Sequence, residues 1–116
     1  MTLKNNDKIF ITQNEKTEGA HFEFRVCSGQ GSSLFVPIHK DTVFFDEYLK
    51  YLEPTETPNG GSTFDGCGIN YYTREQAQIM CNQIQKDKPQ EYTILLEWLK
   101  NNVLDPSKNG FYIFGV

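Results

Sequence analysis

The residues of this 116-residue chain best suited to acting as nucleophile and base are its three cysteines and two histidines. Cys67 stands in Asp65-Gly66-Cys67-Gly68, where flanking glycines expose a thiol at a tight turn. His39 follows a strand-like run that could lie nearby. Cys–His catalysis needs the base within hydrogen-bond reach of a thiol whose pKa it lowers. The residue types for a small cysteine-dependent hydrolase using Cys67 and His39 are therefore present. The local signatures of papain-like and caspase-like nucleophiles are absent. The other two thiols read as structural. Cys81 falls on an apolar helical stripe, where a free cysteine behaves as a small hydrophobe, and Cys27 sits on the polar side of a strand.

Metal and phosphate chemistry find less support. His21 and His39 are 18 positions apart, outside any H-x-x-x-H pattern, and no C-x-x-C occurs. Neither spacing suits zinc, so no metal or other cofactor is expected. Gly29-Gln30-Gly31-Ser32 resembles a phosphate loop only superficially. Such loops open a helix, whereas this one joins two strand-like runs. Asp46 and Glu47 are adjacent on a helical stretch and point in different directions, so they do not form a catalytic carboxylate pair.

The acids matter more as a set. Residues 41–72 carry Asp41, Asp46, Glu47, Glu53, Glu56 and Asp65 against the single base Lys50, a local charge of −5 in a chain of net −4. The same stretch holds Phe44, Phe45, Tyr48, Tyr51, Phe64, Tyr71 and Tyr72. Acid steers the encounter with a basic partner, and aromatic rings supply anchoring area. The expected contact surface is Asp46, Glu47, Glu53, Glu56 and Asp65, with Tyr51 and Phe64 as anchors.

These residues need elements to position them. His21–Cys27 alternates with Phe22, Phe24 and Val26 on one side, and Leu34, Val36 and Ile38 repeat the pattern around Phe35. Period two means a strand with one buried face. With Lys8–Thr12, these runs predict a three-stranded antiparallel meander. Pro37 implies that the third strand is an edge or ends there. Asp41 is placed as the N-cap of a helix over 41–52, which must stop before Pro54. Glu53–Gly68, rich in glycine and proline, reads as a long loop.

Gly68–Tyr72 predicts a strand. Thr73 with Gln76 forms a capping box ahead of a stripe of Ala77, Met80, Cys81 and Ile84. Pro89 is placed at the start of the next helix, whose stripe is Tyr92, Leu95, Leu96, Leu99 and Val103. Trp98 lies one position off that stripe, with core as its expected place. Asn109-Gly110 turns the chain into Phe111–Val116, an apolar strand expected in the middle of the sheet. The core expected from these stripes is Phe22, Phe24, Val26, Leu34, Val36, Met80, Ile84, Leu95, Leu96, Leu99, Phe111 and Ile113.

Residues 1–116 thus form a single α+β domain, a two-layer sandwich. Its sheet is mostly antiparallel, in the order β-β-β-α-β-α-α-β, with helices on one face. The eleven Lys and Arg are scattered and the sequence pI is about 5.1, which argues against nucleic acid as a direct ligand. No apolar run approaches the roughly 18 residues of a membrane span. The beginning MTLKNNDKIFITQNEK lacks an apolar signal core, so a cytoplasmic location is expected. The function class that remains is a small non-enzymatic protein-binding protein. The sharpest form of that expectation is an immunity-type antidote neutralising a basic toxin such as a nuclease. Two alternatives stand beside it: the cysteine-dependent hydrolase, and a structural or regulatory module that docks into a larger assembly through an exposed edge strand.

Overall fold

A computed structural model describes residues 8–16, 18–27, 31–53, 63–105 and 109–116. The fold is α+β: one five-stranded antiparallel sheet with three helices. Its elements are β1 (Ile11–Thr12), β2 (His21–Val26), β3 (Leu34–Pro37), α1 (Asp41–Tyr48), β4 (Ile69–Tyr72), α2 (Arg74–Asp87), α3 (Tyr92–Asn102) and β5 (Phe111–Phe114). Short 3-10 turns occupy Gln13–Glu15, Ile38–Lys40 and Leu49–Tyr51.

The strand order is β1-β3-β2-β5-β4. β5, the last strand in the chain, lies between β2 and β4, as its apolar composition predicts. The meander is not formed, because β1 pairs with β3 and not with β2. β3 is consequently an interior strand and not an edge. Pro37 is its last residue, opposite His21, where a missing donor interrupts least. Ile38 then leaves the strand for a 3-10 turn and is 39% exposed.

β1 is also shorter than the apolar run suggests. The backbone N–H groups of Ile9 and Phe10 donate to the Glu91 carboxylate, at 2.7 and 3.2 Å, and not to a neighbouring strand. Both side chains are buried all the same.

All twelve expected core residues are buried. On β2, Phe22, Phe24 and Val26 face the helical layer; α1 meets them with Phe44, and α3 meets Phe24 and Phe111 with Trp98. Trp98 is 6% exposed, and its ring N–H donates to the Ser32 carbonyl at 2.6 Å. α2 buries Ala77, Met80, Cys81 and Ile84.

Three helix boundaries differ from expectation. α1 ends at Tyr48 and tightens into the 3-10 turn 49–51, which still buries Tyr51 and Leu52. Asp41 is the first helical residue and not the cap; Lys40 holds the cap position without a side-chain bond, because the preceding turn runs straight into the helix. α3 starts at Tyr92, and Pro89 lies in the turn before it, accepting the Tyr92 N–H through its carbonyl. The capping box of α2 is formed: the Thr73 hydroxyl accepts the Gln76 N–H at 3.1 Å, and the Gln76 side chain accepts the Thr73 N–H at 3.3 Å.

Candidate functional site

The acidic stretch divides into acids that hold the fold and acids left at the surface. Glu47, at the end of α1, accepts the Gln90 N–H at 2.6 Å. Its neighbour Tyr48 donates to the Gln90 carbonyl, so this corner clips α1 to the start of α3. Asp65 closes a turn. Its carboxylate accepts the Cys67 N–H at 2.9 Å, and its backbone is held by the buried side chain of Asn70 through bonds of 2.7 and 2.9 Å. Asn70 also donates to the Ile113 carbonyl at 3.1 Å, which satisfies a polar group with no exposed surface. Phe64 is half-buried and edge-on to Phe45. Asp46 and Glu53 are exposed. Glu56 lies outside the described residues.

Tyr51 organises the open part of the surface. The 3-10 turn after α1 directs its ring toward α2, and its hydroxyl donates to Asp87 at 2.6 Å. Burial, and then the bond to Asp87, push the phenol up to about 12. That bond, with Lys50 at 3.7 Å and Lys86 close by, holds the Asp87 carboxyl below its ordinary value. Beside Tyr51 runs a groove of about 260 Å³ between the turn and α2, lined by Lys50, Tyr51, Glu53, Gln76, Ile79, Met80 and Gln83. A second hollow of about 280 Å³ continues past Tyr51 to Asp87 and Lys86. The two form one trough with an aromatic wall. Ile79, 57% exposed, and Leu49, 47% exposed, supply apolar surface along these elements.

Two of the expected contact residues, Tyr51 and Glu53, therefore meet in one groove, with Asp46 exposed on the preceding helix. Phe64 and Asp65 belong to the turn before β4 and do not line it. The contributions of α2 were missed in the sequence. The available signal was Ile79, an apolar residue off the stripe of Ala77, Met80, Cys81 and Ile84.

The Cys67–His39 pair is not assembled. Cys67 lies in the turn ahead of β4, and His39 in the 3-10 turn after β3, so β5 and β2 stand between the two strands that carry them and separate these by three strand spacings. That is roughly 14 Å, beyond hydrogen-bond reach. The three thiols are unbridged: Cys67 is exposed, Cys27 half-buried and Cys81 buried. Burial pushes the Cys27 thiol up and that of Cys81 up to about 11, the reverse of nucleophile activation. Among the described residues, no group of three His, Cys, Asp or Glu side chains is placed to hold a metal ion, and no helix is long and apolar enough to cross a membrane.

Comparison with protein-family models, with curated proteins and with solved structures returns no match for this chain.

Proposed function

We propose that this chain is a non-enzymatic protein-binding domain that docks a basic partner in the trough beside Tyr51. Its most specific form is a cytoplasmic, immunity-type antidote to a basic toxin such as a nuclease. The observation that carries the reading is the meeting of Tyr51 and Glu53 in one groove with exposed Ile79 on α2. Aromatic and aliphatic walls anchor, and surrounding acid selects a basic surface and speeds its approach. Residues 41–53 supply Asp41, Asp46, Glu47 and Glu53 against Lys50. Toxin nucleases carry basic substrate clefts, which an acidic surface can cover. Three unbridged thiols accord with a reducing compartment.

The test is affinity capture on the wild-type chain and on an Asp46→Lys/Glu53→Lys double variant. The captured partner is expected to be basic, and the reversal to weaken its binding by about tenfold or more, since two exposed attractive charges become repulsive. An acidic or neutral partner, or binding unchanged by the reversal, contradicts the reading.

A further inference from the structure

The sheet ends differently at its two edges. At one, β1 contributes only Ile11 and Thr12, and the chain turns away at once through Gln13–Glu15 with Lys16 beside it. Short edges flanked by lysine resist further pairing. At the other, β4 reads Ile69-Asn70-Tyr71-Tyr72, with no proline or charge to blunt it.

The ladder between β4 and β5 fixes which backbone groups of β4 are in use. The Gly115 N–H donates to the Gly68 carbonyl, which makes 68 and 115 a hydrogen-bonded pair. Antiparallel pairs alternate, so Asn70 with Ile113 and Tyr72 with Phe111 are the bonded pairs of this ladder. The N–H and C=O groups of Ile69 and Tyr71 therefore point away from β5, and no described residue pairs with that side of β4. The side chains of both residues stand on the sheet face opposite the helices. Ile69 is 42% exposed and lies opposite Phe114. The Tyr71 ring packs on Tyr112 at 5.2 Å.

We propose that this edge pairs with the same edge of a second copy of the chain, antiparallel about a two-fold axis beside Asn70. Ile69 then faces the partner's Tyr71, and Tyr71 faces the partner's Ile69. The four open backbone groups on each side exchange N–H···O bonds. Phe114, Ile69, the partner's Tyr71 and the partner's Tyr112 form one row across the seam, with its mirror row beside it. An aromatic residue against a β-branched one is a favourable cross-strand pair. A foreign strand could satisfy the backbone as well. A second copy is favoured because the side chains complement themselves, as an isologous contact requires.

The test is sedimentation equilibrium on the full chain from low micromolar to near-millimolar concentration, for wild type, Ile69→Pro and Tyr71→Lys. Proline at 69 removes an outward N–H and leaves the bonds to β5 in place. Lysine at 71 is a natural edge-blocking residue. Wild type is expected to dimerise, and each variant to weaken the dimer by about tenfold or more with an unchanged circular dichroism spectrum. Should Ile69→Pro unfold, Tyr71→Lys decides on the same criterion. A monomer at every concentration, or a dimer unaffected by a folded variant, overturns the proposal. A monomer that captures a foreign protein through this edge overturns self-pairing too. Neither variant touches the trough beside Tyr51, so this proposal and the antidote reading fail separately.

Discussion

Tyr48, Tyr51 and Tyr72 bury their rings and give each hydroxyl a partner: the Gln90 carbonyl, Asp87 and the Leu52 carbonyl. Burial raises all three phenols, and Tyr51 reaches about 12. An unfolded chain ionises its tyrosines near pH 10, while the fold keeps these protonated. Their contribution to stability is therefore complete below about pH 10 and lost as pH rises through the folded values. In an alkaline titration, part of the phenolate absorbance should appear only together with the loss of circular dichroism. Ionisation of all six tyrosines near pH 10 with the fold intact would contradict this placement. Trp98→Phe should cost about 1–3 kcal/mol in denaturant unfolding, from the lost bond to Ser32 and the smaller ring; a change within about 0.5 kcal/mol would mean that neither matters. The burial of Trp98 was legible from the helix around it, but its bond was not, because Ser32 is 66 residues away in the chain. The locking role of Asn70 was equally hidden. Its partners Asp65 and Ile113 meet only after the sheet has formed.

Among the elements, periodicity marked β2, α2 and α3 because each buries one regular face, whereas β3 buries Leu34, Phe35, Val36 and Pro37 alike and its alternation does not continue to the exposed Ile38. Order was harder to read. A run such as Lys8–Thr12 has the composition of a strand, yet a distant carboxylate, Glu91, captures two of its N–H groups. No local pattern announces that competition, nor that β1 settles beside β3. Asn109-Gly110 was expected to turn the chain; in the structure Gly110 already extends the β2–β5 ladder, and the glycine is required by its neighbours. A Cβ at Gly110 would stand 1.8 Å from the Tyr72 carbonyl oxygen, with β4 backbone all around it. The Cys27 N–H also donates to the Gly110 carbonyl at 3.2 Å, so the segment cannot retreat from β4 toward β2 without crowding the strand on that side. Gly110→Ala is thus expected to cost more than about 2 kcal/mol, well outside the surface range. A melting temperature equal to that of wild type would show that β5 can shift to admit the methyl group.

For the whole molecule, the charge pattern was the most legible feature behind the proposed docking surface and also the most simplified. Seven residues were expected to act together; the fold brings Tyr51 and Glu53 into one groove, leaves Asp46 exposed and sets Glu47 and Asp65 to structural work. Proximity in sequence could not reveal this division, because the acids lie on a helix, a turn and a loop that face different neighbours. What persists is a surplus of acid over residues 41–53, beside a trough whose walls mix Tyr51, Ile79 and Met80 with Glu53, Asp87, Lys50 and Lys86. Its direct test is the association rate with the captured partner as ionic strength rises, for wild type and for Asp46→Lys/Glu53→Lys. Screening shortens the field to about 8 Å at physiological salt. A steered encounter should therefore slow steeply with salt, start slower in the double variant and lose most of its difference from wild type at high salt. An association rate independent of salt and identical in the two proteins would contradict the proposal, leaving the acid as a solvated face.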